Sequence, residues 1–444
     1  MLGIPAKTEH NEAAPTQHEL AVVYTTVNLA ADHNQLVMER MKRVAENHGM
    51  VCLLHEKPFA GVNGSGKHNN WSLATDKGEN LLEPGETPAE NAQFLLFLVA
   101  VLQAVNEYQD LLRSAIASAG NDHRLGAAEA PPAILSVFLG EELTAILEAI
   151  DAGSAYVPGE KVQFKVGVDV LPRFPKDSTD RNRTSPFAFT GNKFEFRMVG
   201  SSASISGANI CLNAAVTDVL RRYADRLEGA EDFESALHEL IRDSIRENRR
   251  IIFNGNGYDE AWAKEAKARG LSNLPTTPDC LPRMLDEKNI RMYELTGVFT
   301  ETEMRARYEI LMENYCKMVK IEAQTMLDMV WKDILPAVSR FVGKEVAIIK
   351  DKKAVCEAID CRYEETVVNR LSTLTGRTCD MIRMLEEAVN RPTDNSLEAF
   401  ANRCRDEILP RMEALRLCVD EMENWTAKDC WPYPSYGDLL FSVH

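Results

Sequence analysis

The chain has 444 residues, 45% of them hydrophobic and 26% charged, enough to bury a large core in two or three domains. Its formal net charge of -17 argues against general binding to nucleic acid or anionic membranes, which would repel it. No uninterrupted apolar run is long enough to span a bilayer, and the N-terminus lacks a basic-then-apolar leader pattern.

In chain order, residues 32–48 have helical spacing, with Asp32 as N-cap and Gly49 as the stop. Residues 51–55 read as a short strand, and residues 88–118 as a long apolar helix opened by Thr87 and Pro88. Alternation predicts strands over 162–170 and 193–199. In the second, period two puts Lys193, Glu195 and Arg197 on one face, and Phe194, Phe196 and Met198 on the other. A charged face of that kind suits a sheet lining a polar site. Beyond residue 208 helices dominate. A proline-rich stretch around Pro275, Pro278 and Pro282 suggests a boundary between residues 1–275 and a helical part, 276–444. In the latter, 301–340, 352–388 and 396–426 read as long amphipathic helices, broken at Gly343 and at Arg391-Pro392. The stripe of Met312, Met318, Met326 and Met329 is expected to pack inside. The segment from Trp431 to Gly437 should dock on the bundle. Ten scattered cysteines do not form a disulfide framework, and Cys356 and Cys361 have no histidine nearby to complete a zinc site. A reducing, cytoplasmic setting is expected.

Four stretches carry chemistry. Glu12 and Glu19 flank Pro15 and Gln17; they cannot share a helix face, but strand or loop geometry could bring both to a hard divalent ion. Residues 57–72 contain the turn Asn63-Gly64-Ser65-Gly66, followed by Lys67, His68, Asn69, Asn70, Trp71 and Ser72. Glycines there allow close backbone approach, and a histidine beyond them can ligate metal or contact phosphate. The loop from Gly120 to Pro132 carries Arg124 and an isolated carboxylate, Glu129. Last come Arg181-Asn182-Arg183 and the alternating Lys193, Glu195 and Arg197, cations suited to spread phosphoryl charge.

The second stretch resembles the Asn-Gly-Ser-Gly-x-His signature of glutamine synthetases, and its Lys-His-Asn-Asn-Trp-Ser continuation looks like the type III branch. The first resembles that family's Glu-x-x-Pro-x-Gln-x-Glu motif, the third its Arg-Leu…Glu-Ala-Pro flap, and the fourth its Asn-Arg and Lys-x-Glu-x-Arg elements. The resemblance implies an α+β fold: a catalytic domain with a curved antiparallel sheet and flanking helices, then a long-helix C-terminal domain. It implies ATP-dependent ligation of ammonia to L-glutamate through γ-glutamyl phosphate, with two Mg²⁺ or Mn²⁺ ions per site. By motif, Glu12, Glu19, His68 and Glu195 hold metal; Asn63, Gly64 and Arg197 contact the amino acid; His68, Asn70, Ser72 and Lys193 contact ATP. Glu129 is the base and lid, with Arg183 and Arg124 as catalytic cations. Two departures stand out: Arg124 lies one residue closer to Glu129 than in the common form, and a further family arginine falls on Ala188. Family members also carry, ahead of the Glu12 region, a β-grasp-like domain and a strand with two more metal glutamates. Only eleven residues precede Glu12 here, so a split or truncated enzyme with a separate N-terminal half is expected. Self-association into a ring-type homo-oligomer, dodecameric by family analogy, is implied too. Two other readings keep part of this pattern: a γ-glutamyl-amine ligase, and a catalytically defective ring-forming scaffold.

Overall fold

A computed structural model describes the chain except for residues 1–2, 13, 58, 60–61, 63, 65, 127–129, 155, 157–183, 393–395, 436 and 439–444. It divides into two compact units, Met1–Tyr308 and Glu309–His444. The proline-rich segment near residue 275 lies inside the first unit. There Arg113 Nε donates to the Leu274 carbonyl, and Thr277 N donates to Asp122.

The first unit opens with a hairpin of β1 (Ala6–Asn11) and β2 (His18–Val22), followed by helix α1 (Val27–Asn47). Nothing in residues 27–31 breaks a helix, so α1 begins before Asp32, with Thr26 at its N-cap position. Its end matches the glycine signal: Gly49 has φ 67° and donates to the Glu46 carbonyl. Residues 51–55 form no strand. Val51 and Leu53 are 81% and 67% exposed, and no described segment pairs with them.

Strand β3 (Lys67–Trp71) is followed by α2 (Ala92–Glu107), α3 (Gln109–Ser114) and α4 (Ala119–Arg124). The single helix expected over 88–118 is thus two. The Asn91 side chain caps Phe94 N and sets the start, while the chain breaks at Tyr108, whose hydroxyl donates to Asp218. Next come β4 (Val137–Phe138), α5 (Gly140–Ala152), β5 (Phe187–Phe189), β6 (Phe194–Val199), α6 (Ser206–Glu228) and α7 (Phe233–Asn248).

Four strands form one sheet in the order β3-β6-β5-β4. Pairing is antiparallel except between β4 and β5, so the described sheet is mixed rather than purely antiparallel. The strand expected over 162–170 lies outside the described residues. One sheet face is an aromatic core: Phe187 stacks on Phe194 at 4.9 Å between ring centres, and Phe189 meets Phe94 of α2 at 5.8 Å. Phe194, Phe196 and Met198 are fully buried, as their alternation predicts. That leaves the Glu195 face free for polar work.

The second unit is helical. The helix Glu301–Met329 runs into a π-helical turn, Val330–Ile334, before Leu335–Val355, and Leu397–Arg403 does the same through Cys404–Ile408 before Leu409–Trp425. Each π turn directly precedes a Leu-Pro pair. A wider turn accommodates the missing proline N–H and its ring, so neither proline ends its helix. Gly343 does not break its helix either; it keeps helical φ, and the chain turns instead at Cys356. Of the methionine stripe only Met312 is buried, while Met318 and Met329 are exposed. The inward stripe is Met312, Cys316, Val319, Ala323 and Leu327, and those methionines fall beside it. The aromatic ending does dock: Tyr433 donates to Asp333 at 2.8 Å. Among the described residues no helix is long and apolar enough to cross a membrane.

Candidate active site

The carboxylates of Glu12 and Glu19 meet because the chain between them makes a hairpin. Gln17 N donates to the Ala14 carbonyl, closing a turn with Pro15 at its second position and Thr16 at φ 53°. Proline presets the turn there, and the positive φ at Thr16 is a strained conformation for a β-branched residue. Glu12 N then donates to Gln17 O at 3.0 Å, and His10 pairs with Glu19 across the strands. His10 and Glu12 share a strand face at period two. One cluster results: His10 Nε2 lies 2.7 Å from Glu12 and 3.6 Å from Glu19.

Burial pushes the Glu12 carboxyl up, but hydrogen bonds to Glu19 and His10 outweigh it and hold Glu12 below the usual range. Glu19 moves the other way, raised by burial and by the adjoining Glu12. Two like charges at close range cannot both ionise freely, so the two carboxyls are pushed in opposite directions. Attraction to His68 acts on both of them.

His68 stands on β3, opposite the polar face of β6. Its Nδ1 is 3.1 Å from Glu195 Oε1, while Arg197 donates from Nε and Nη2 to Glu195 Oε2 at 2.9 and 2.7 Å. Burial alone would raise the Glu195 carboxyl; the His68 hydrogen bond and the Arg197 charge overcome this and pull it down to about 2. The remaining residues of β3 alternate as a strand should. Asn69 and Trp71 turn inward and are tied to Asn209 and Asn213, one helical turn apart on α6, at 3.0 and 2.8 Å.

Around Gly64 and Gly66 lies a buried charged layer. A Cβ on Gly64 would stand 2.2 Å from the Glu56 carbonyl oxygen, and one on Gly66 would stand 2.2 Å from that of Val199, so only glycine fits either place. Glu56 is 4% exposed and accepts from Ser201 N at 2.7 Å. Lys67 Nζ donates to the carbonyls of Gly200, Ser201 and Ala203. Burial lowers this lysine to about 8 against the opposing pull of Glu56.

Two family models match the chain: the glutamine synthetase catalytic domain over residues 1–132, and the glutamine synthetase C-terminal domain over residues 236–353. A type-3 glutamine synthetase of Dictyostelium discoideum is 43% identical over 453 residues, covering 99% of this chain and 61% of the relative. Glutamine synthetases of Butyrivibrio fibrisolvens and Bacteroides fragilis are 44% and 41% identical, over 100% and 99% of this chain and 63% and 62% of their own length. The chain belongs to the glutamine synthetase family. It spans about three fifths of the length of these relatives.

Against the expectations for that family, the described structure brings Glu12 and Glu19 together, and His68 with Glu195 and Arg197. Gly64 is buried. Asn70 is exposed on the strand face shared with His68. Ser72 Oγ lies 2.6 Å from Asn80 Oδ1, and Lys193 is half-buried just ahead of β6. Asn63, Glu129 and Arg183 lie outside the described residues.

Arg124 occupies a different position from the substrate-facing one implied by resemblance. It is 1% exposed, donates to the Arg197 carbonyl at 3.0 Å and to Asn121 Oδ1 at 2.9 Å, and burial lowers it to about 10. On the short helix α4 its side chain runs inward under β6 and braces that strand. Ala188, where the family has an arginine, is 1% exposed in β5. Sequence reasoning missed His10, Glu56 and Lys67. The signal for His10 was available in its period-two spacing from Glu12; for Glu56, 145 residues from its partner Ser201, there was none.

Proposed function

We propose that this chain carries out, as the larger part of a glutamine synthetase, ATP-dependent ligation of ammonia to L-glutamate through γ-glutamyl phosphate. The observation that carries the reading is the Glu12–Glu19 pair, held in one cluster within the electrostatic reach of His68, itself paired to Glu195.

This donor set fits divalent metal. Two close carboxylates, one of them raised by the other, are what a hard cation would satisfy, and oxygen with one imidazole suits Mg²⁺ or Mn²⁺. Glu12 and Glu19 would hold one ion, His68 and Glu195 the other. Bound there, such ions supply positive charge beside phosphate oxygens.

The chain's own residues do the rest. Arg197, bonded to Glu195 through two nitrogens, fixes that carboxylate's orientation and adds a cation beside the amino-acid substrate. Asn63 and Gly64 contact that substrate through the turn. Asn70, Ser72 and Lys193 line the nucleotide side, Arg183 offsets phosphoryl charge, and Glu129 takes the proton from ammonium. A base is effective there when it lies within hydrogen-bond reach, so its position matters more than its intrinsic pKa. Arg124 serves as a brace beneath these groups. Function in the cytoplasm, in a ring-type homo-oligomer, completes the reading.

The test is ADP release with Mg²⁺ or Mn²⁺, L-glutamate and ammonium, run on this chain alone and with the remaining part of a full-length relative added. ADP release requiring both glutamate and ammonium supports the proposal. Release indifferent to both, or its absence under both conditions, rejects it.

A further inference from the structure

Lys67 opens β3 one residue before His68, and its ammonium has an unusual environment. An ammonium has three N–H donors and no acceptor. All three find carbonyl oxygens in the single turn after β6, those of Gly200, Ser201 and Ala203. Glu56, 4% exposed, accepts the Ser201 N–H and supplies the nearby negative charge. A ring of backbone carbonyls around one positive charge is the kind of site that elsewhere holds a bare monovalent cation.

The cage sits where strand register is least secure. Lys67 pairs with Val199 but Asn69 pairs with Phe196, so β6 carries one residue more than β3 over this interval. Side chains alternate at period two; a one-residue slip would turn Glu195 and Arg197 into the core and Phe194 and Phe196 out. Aromatic packing opposes that slip from one face. The bonds from Lys67 add to this by fastening the segment just after β6 to the start of β3.

We propose that Lys67 is a positioning residue whose ammonium acts as a built-in monovalent cation, locking β6 against β3 so that Glu195 faces His68. The inference rests on reading His68 and Glu195 as one functional pair, and it assigns the Glu56–Lys67 layer the task of holding that pair in register.

The experiment compares wild type, Lys67→Ala and Lys67→Met by the ring ¹⁵N resonances of His68 and by calorimetric Mn²⁺ affinity, each with and without K⁺ or methylammonium. Lys67→Ala should shift the His68 resonances and weaken Mn²⁺ about tenfold, the usual scale for groups that orient a metal ligand. K⁺ or methylammonium should restore both saturably. Lys67→Met, whose side chain fills the cage, should lose both without rescue. Unchanged resonances and affinity in Lys67→Ala overturn the proposal, as does loss that no cation restores. If Lys67→Ala fails to fold, Glu56→Gln keeps the acceptor for Ser201 and removes the charge; it should shift the same resonances, and an unaltered spectrum overturns the proposal. Should wild type bind no Mn²⁺, the functional reading fails while the His68 resonances still decide the role of Lys67.

Discussion

His68 and Glu195 face one another at 3.1 Å across two antiparallel strands, with the far oxygen of Glu195 held by Arg197 at 2.7 Å. A carboxylate gripped from both sides is already in place before any ligand arrives. It is also kept ionised far into acid.

That ionisation has a consequence for stability. His68 and Arg197 hold Glu195 down to about 2 in the folded protein, below the ordinary carboxyl value of 4.5, so its contribution is complete above pH 4.5 and is lost as pH falls toward 2. Glu195→Gln should therefore be less stable than wild type at pH 6, with the gap narrowing from pH 4.5 downward. Urea unfolding across that range measures it; a gap independent of pH would contradict the pairing.

The hairpin pair predicts the opposite sign. Glu19 is raised in the folded protein, so its ionisation costs stability as pH climbs above its unfolded value. In the presence of chelator, Glu19→Gln should melt higher than wild type at pH 7. With Mn²⁺ added the order should reverse, because the variant loses a ligand. Thermal unfolding in both buffers reads this directly.

Arg124 separates two roles cleanly. As a brace, its replacement by Gln leaves the Arg197 carbonyl and Asn121 without their donor, costing about 2–3 kcal/mol in denaturant unfolding. A residue contacting glutamate would instead raise KM with stability intact.

Asn209 anchors β3 from α6. Asn209→Ala should cost about 1–3 kcal/mol by leaving the buried Asn69 amide unpaired. Substitution of both Asn69 and Asn209 should cost less than the sum of the single changes, as expected for groups that bond each other.

Much of this site could be read in the sequence because it is local. The alternation over 193–199 sorts Phe194, Phe196 and Met198 from Glu195 without any tertiary knowledge, and Pro15 between two glutamates marks a turn. Errors arose where a local signal had a tertiary competitor. Asp32 looked like a cap, but the helix began at Val27; Val51 and Leu53 had strand propensity but no strand to pair with. Gly343 weakens a helix without ending it, whereas Pro336 and Pro410, which the expected helices run through, are accommodated by π turns. The layer of Glu56, Lys67 and Arg124 was illegible because each charge is satisfied by backbone groups distant in sequence, and carbonyls leave no signature in side-chain identity.

Two pairs of side chains, Glu12 with Glu19 and His68 with Glu195, are proposed to hold two divalent ions. Calorimetric titration of Mn²⁺ into wild type, the Glu12→Gln/Glu19→Gln double variant and the His68→Asn/Glu195→Gln double variant tests it most directly. Two sites are expected in wild type and one remaining in each double variant. Equal Mn²⁺ binding by all three proteins would contradict it.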